Sequence, residues 1–213
     1  MAPFWRNIFI YHVICAGVGW RFGYLPRVFK EIVSLPMLKA APLKTLFGGF
    51  AAMGFSAAVT LAANVPYSKA VERGGRKPSW PATALFALSN GVFESFAFLA
   101  SFDCGVQLMS KFTSNRYWLF NAGLMLCTVY NGFIHALFWV RYGLPPHIKK
   151  PNANLPKDRG PPKFLQGFLA MLASWLLVYY RYENVTMFIG LHVVADTCLA
   201  HLIALPQPTE TSQ

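Results

Sequence analysis

The sequence is short of charge, and shorter still of acids. Only 13% of its 213 residues are charged, and 8 Asp and Glu stand against 19 Lys and Arg. A water-soluble domain carries about a quarter charged residues, so most of this chain is not built to face water. Cys-x-x-Cys pairs are absent. The four cysteines, Cys15, Cys104, Cys127 and Cys198, stand singly inside apolar stretches. That excludes a zinc knuckle and a disulfide framework, and reads as four small buried side chains. There is no internal repeat.

What fills the chain is apolar: 55% hydrophobic and 16% aromatic residues, with a mean hydropathy of +0.39. Lipid admits only segments that satisfy their own backbone hydrogen bonds. The apolar runs therefore predict an all-α polytopic membrane bundle of five or six transmembrane helices. Five spans are expected at 46–65, 82–109, 117–140, 164–180 and 185–205. The sixth candidate, 7–20, is short against the roughly 20 residues a crossing needs. Residues 1–44 read as a basic arm, interfacial or partly inserted, with Pro26, Pro36 and Pro42 and one acid, Glu31. Such a segment suits an interfacial or organellar-targeting role. The bundle occupies 45–206, and 207–213 form a disordered tail.

Local signals sharpen this division. Gly48, Gly49 and Gly54 suit close helix packing in lipid, and Pro81 sits where a helix starts. A Pro-, Asn- and Lys-rich stretch over 141–163 reads as a loop in water or headgroups, and 181–184 as a tight turn. Asn184-Val185-Thr186 matches a glycosylation sequon, discounted because it lies at that turn.

The net charge of +11 would suit a nucleic-acid partner in a soluble protein. Here the basic residues cluster between apolar runs, where they meet lipid headgroups, so no nucleic-acid partner is expected. The first–second and third–fourth loops are the richer in Lys and Arg. That side faces cytoplasm, matrix or stroma by the positive-inside rule. A small, basic, acid-poor chain of this kind suits a mitochondrial inner membrane or a plastid.

Ionisable side chains at bilayer depth are costly and are functional candidates by default. Glu94 lies near the middle of the second expected span, and Asp196 near the middle of the fifth. His192 is one helical turn from Asp196 on the same face. His135 is the sixth residue from the end of the third span. A rise of about 1.5 Å per residue puts Glu94, His135, His192 and Asp196 within reach of one another, in the half of the membrane facing the basic loops. Asp103 is nearer a helix end and reads as reaching the interface; His201 lies nearer the surface.

The order of these residues resembles the CPBP (CAAX protease and bacteriocin-processing) intramembrane proteases. That family carries EExxxR on one helix, FxxxH on another and HxxxN or HxxxD on a later one. The matching stretches are FESFAFLA over 93–100, NGFIH over 131–135 and HVVAD over 192–196. The resemblance covers about 82–205 and departs at three places. Ser95 stands at the second Glu, Leu99 at the Arg and Asn131 at the Phe before His.

The resemblance implies an intramembrane endopeptidase acting on a membrane or prenylated peptide. Glu94 and His135 would hold and activate a water. His192 and Asp196 would stabilise the oxyanion, which needs a fixed donor. It implies no cofactor. Two other readings stand beside it. One is a non-catalytic accessory subunit of an organellar membrane complex, with the basic arm and Pro-rich loop as docking surfaces. The other is a metal held by Glu94, His135, His192 and Asp196, since histidines with carboxylates are ligand-like.

Overall fold

The chain is all-α in the computed structural model, which describes residues 3–34, 43–70, 79–135, 137–138 and 161–203 and contains no strand among them. Among the described residues seven helices follow in order: α1 (Pro3–Arg21), α2 (Tyr24–Ser34), α3 (Leu43–Ala70), α4 (Trp80–Ser110), α5 (Arg116–Ile134), α6 (Pro161–Tyr182) and α7 (Val185–Ile203). The basic stretch over 71–78, the loop over 141–160, the prolines at 36 and 42 and the tail lie outside the described residues.

Helix ends follow local chemistry. Ser79 caps α4, its hydroxyl accepting from the Ala82 amide at 3.3 Å, and Pro81 follows in the first turn. This is the favoured start, because proline lacks only an N–H that would have no partner there. Asn115 caps α5 by accepting from the Tyr117 amide at 2.9 Å. Between α6 and α7 the chain turns through Glu183, at φ 50°, and Asn184 then accepts from the Met187 amide at 2.7 Å. So short a connection lays α7 antiparallel beside α6. It also gives the sequon asparagine a capping role. α6 begins at Pro161, so the loop expected through 163 ends earlier: proline at a helix start is no obstacle.

α4 is the central post, with α1, α5 and α7 packed along it. α1 runs parallel to it, Phe4 beside Phe86 and Tyr11 beside Glu94. α7 runs antiparallel, placing His192 beside Ser95 and Asp196 beside Asn90. Two close approaches depend on glycine. A Cβ on Gly91 would come within 2.9 Å of the Val193 backbone nitrogen, and one on Gly105 would meet the Ala122 carbonyl. α3 packs across α6 and α7. There Trp175 donates to the Thr60 hydroxyl at 2.8 Å.

The expected boundary at residue 44 is not a packing boundary. Phe4, Trp5, Ile8, Tyr11 and Cys15 of α1 are buried in a cluster with Ala82 and Phe86 of α4. The sequence hid this because the apolar stretch is short and proline-rich basic residues follow it. At Gly23 (φ 75°) the chain bends by 79° into α2. Asp103 is half-buried and tied to two other helices, accepting from Tyr24 at 2.6 Å and Tyr179 at 2.8 Å.

Polar side chains share the apolar core, and large apolar ones stand outside it. Buried polar residues include Ser56, Thr60, Asn64, Asn90, Glu94, His192 and Asp196, while Trp20, Phe50, Phe55 and Phe133 are exposed. Among the described residues α4 is long and apolar enough to cross a membrane by itself. The bent pair α1–α2 passes the same test as a second segment.

Candidate functional site

The inward face of α4 carries Asn90 and Glu94 one turn apart, as i and i+4 must fall, with Gly91 and Ser95 beside them. Gly91 lets α7 come close. α7 in turn presents His192 and Asp196 at the same spacing. Glu94, His192 and Asp196 are all buried. His192 Nε2 lies 3.4 Å from Glu94 Oε2 and 3.6 Å from Asp196 Oδ2. These three residues, singled out in the sequence, converge.

The hydrogen bonds fix most of the protons. Ser95 gives its hydroxyl hydrogen to the Gly91 carbonyl, so toward His192 Nδ1, 3.0 Å away, it acts as acceptor. Nδ1 therefore carries hydrogen. Nε2 then faces two carboxylates. A bare lone pair there would repel both, so one proton is held among Nε2, Glu94 Oε2 and Asp196 Oδ2. Asn90 supports the pair of acids with its amide, donating to Glu94 Oε2 at 2.8 Å and Asp196 Oδ2 at 3.0 Å. Its own oxygen faces His12 Nε2 at 3.2 Å and accepts from it. On the other side, Tyr11 donates to Glu94 Oε1 at 2.7 Å, and Tyr130 lies 3.2 Å from the Tyr11 oxygen.

Aromatic rings wall the imidazole. Phe98 stacks on His192 at 5.3 Å and 6°, and Trp175 lies 5.3 Å away on a tilted plane. Such faces favour a positive ring. Among the described residues, Thr83 Oγ1 is the only buried side-chain polar atom without a hydrogen-bond partner. The polar cluster is thus fully engaged.

His135 stands apart from this core. It caps the C-terminal end of α5 and is exposed. Its Nδ1 donates to the Asn131 carbonyl at 2.9 Å. The side chain of His201 is outside the described residues. The positions where this chain departs from the family pattern are occupied differently. Ser95 binds His192, and Leu99 is wholly buried among apolar neighbours.

Sequence reasoning missed Tyr11, His12, Asn90 and Tyr130. Asn90 was legible as the residue one turn before Glu94. The α1 pair was not, because the arm was set apart from the bundle. For a metal, no group of three or more His, Cys, Asp or Glu side chains is suitably placed among the described residues.

No family model, curated protein or solved structure matches the chain.

Proposed function

We propose that this chain is a polytopic membrane protein of CPBP intramembrane-protease type, in which Glu94, His192 and Asp196 form an acid–base site for hydrolysis within the bilayer. The observation that carries it is the 3.4 Å contact between Glu94 and His192, with Asp196 at 3.6 Å, three ionisable side chains buried together from two helices. A buried ion pair adds little stability over apolar packing, and intramembrane charges mark function by default.

Glu94 takes a proton from the attacking water, whose oxygen adds to the scissile carbonyl. His192 donates to the developing oxyanion, and Asp196 orients its ring. The proton on Glu94 then passes to the leaving amine. Exposed apolar side chains on α1, α3 and α5 supply lipid-facing surface. Helices of 19 to 31 residues measure roughly 28–46 Å at 1.5 Å per residue. That suits α3, α4, α5, α6 and α7 as five spans, with α1 as a sixth. Lipid, a membrane or prenylated peptide, and a mitochondrial or plastid membrane are the matching partners and setting.

The test is cleavage of quenched apolar peptides, with and without a prenyl group, by the purified protein in liposomes. Turnover that Glu94→Gln abolishes supports the reading. Equal signals from both proteins sink it.

A second reading has an observation of its own. Ser95 and Leu99 replace the second acid and the arginine of the family motif, and both are built into the packing. This favours a non-catalytic accessory subunit of an organellar membrane complex. It is expected to copurify in fixed stoichiometry with other subunits and to show no turnover.

A further inference from the structure

The residues of α2 divide its surface three ways. At about 100° per residue, Tyr24, Val28 and Glu31 fall on one side, Leu25, Phe29, Ile32 and Val33 on a second, and Arg27 and Lys30 on a third. The first side faces the bundle. Tyr24 is buried and donates to Asp103 at 2.6 Å, and Glu31 accepts from the Val185 and Thr186 amides at 3.1 and 2.7 Å. These bonds hold the helix near both ends and fix its rotation. Leu25 packs at the edge of the core. The rest of the second side is left over: Phe29 is 73% exposed and Val33 61%. The apolar arc of α2 is wider than the bundle covers.

The direction of α2 gives that uncovered face a place. α1 runs along α4, and the chain bends by 79° at Gly23 before α2 begins. With α1 and α4 crossing a bilayer, α2 lies nearly in its plane, at the end of the bundle where α4 stops and α7 starts. The other groups at this end match a headgroup layer. Trp20, Phe112, Tyr117 and Trp118 are exposed there, and aromatic side chains gather at membrane–water boundaries. Arg21, Lys30, Lys111, Arg116 and Arg181 are exposed at the same end, against Glu183 as the exposed acid among the described residues. Arg27 is engaged within the protein, its Nε donating to Glu31 at 3.3 Å.

We propose that α2 is an interfacial helix seated in the headgroup layer of a leaflet that contains anionic phospholipid. Phe29, Ile32 and Val33 enter the acyl boundary, and Arg21 and Lys30 hold headgroup phosphates. A helix with one apolar and one basic side binds such a surface through buried apolar area plus charge attraction. The third side, which an isolated amphipathic helix lacks, is the one that Tyr24 and Glu31 tie to the bundle. Protein, acyl chains and headgroups thus take one side each. The inference rests on the membrane reading above and adds the lipid chemistry that this end selects. It does not depend on hydrolysis at Glu94.

Fluorescence quenching by lipids with brominated acyl chains tests this on the full chain in liposomes. A bimane label is placed at Phe29→Cys, with Cys104→Ser and Cys198→Ser removing the more accessible thiols. A second label at Phe55→Cys, exposed on α3, reports on the bundle. Brominated phosphatidylcholine is expected to quench both. Quenching at Phe55→Cys without quenching at Phe29→Cys overturns the interfacial helix and leaves the membrane reading standing. Quenching at neither overturns both. At equal trace mole fraction, brominated phosphatidylglycerol is expected to quench the Phe29→Cys label roughly two- to fivefold more than brominated phosphatidylcholine. Equal quenching by the two lipids overturns the anionic preference. Arg21→Gln with Lys30→Gln is expected to bring the ratio close to one while quenching by phosphatidylcholine persists. A ratio unchanged in that double variant overturns the role given to these two cations.

Discussion

Two carboxylates on α4, the buried Glu94 and the half-buried Asp103, are solved in opposite ways. Asp103 receives hydrogens from Tyr24 and Tyr179, with the Arg27 guanidinium 5.8 Å from the Tyr179 ring centre. Two neutral phenols satisfy one acid, so no proton is shared between competing bases. That knot ties α2 and α6 to α4. A third carboxylate, Glu31 on α2, accepts from the Val185 and Thr186 amides at 3.1 and 2.7 Å, at the positive end of α7. Glu94, by contrast, faces an imidazole that also faces Asp196. Tyr11 of α1 and Asn90 of α4 donate to it, but one proton has three candidate homes. A carboxylate given fixed donors is a staple. A carboxylate given a competing base and a second acid is equipped for acid–base chemistry.

Substitutions can break that contrast. The largest expected effect is on chemistry: Glu94→Gln abolishes proteoliposome cleavage while circular dichroism and detergent melting stay near wild type. Asp103→Ala should do the reverse. It leaves two phenols without their acceptor and costs about 2–3 kcal/mol, read by denaturation in detergent, with turnover reduced only in proportion to folded protein. If Asp103→Ala abolishes turnover in a fully folded sample, the two regions are not distinct. Gly91→Ala is expected to cost about 1–3 kcal/mol, because its methyl meets the Val193 backbone, and to reduce turnover by pushing α7 from α4. The smallest effect belongs to Asn184→Ala, a lost cap worth ~1 kcal/mol, seen as lower melting alone.

The helices were largely legible. Apolar runs broken by Ser79-Trp80-Pro81, Asn115 and Asn184 carry their own start signals, and the five apolar runs fall on helices α3 through α7; of these five, α4 is long and apolar enough among the described residues to cross a membrane. The i, i+4 spacing of His192 and Asp196, with the depth of Glu94, brings three site residues together from the sequence alone, whereas the same depth argument for His135 fails because that side chain is exposed at the end of α5. What stayed hidden depends on tertiary placement. The parallel run of α1 along α4 rests on buried aromatic side chains such as Phe4 and Trp5. A 14-residue apolar stretch followed by prolines and lysines does not announce that packing. Tyr11 and His12 were hidden with it. Asp103 lies near a helix end in sequence, yet Tyr24 reaches it only because Gly23 turns α2 back across the bundle.

The central claim is that Glu94, His192 and Asp196 hold one exchangeable proton for chemistry and do not merely lock the bundle. The most direct measurement is the ¹⁵N resonance of His192 Nε2, in histidine-labelled protein in lipid, followed across pH. The account expects Nδ1 to stay protonated against Ser95 while the Nε2 resonance moves with pH, and it expects Glu94→Gln to change that movement. An Nε2 resonance that stays fixed across the whole folded range, in wild type and Glu94→Gln alike, would contradict it.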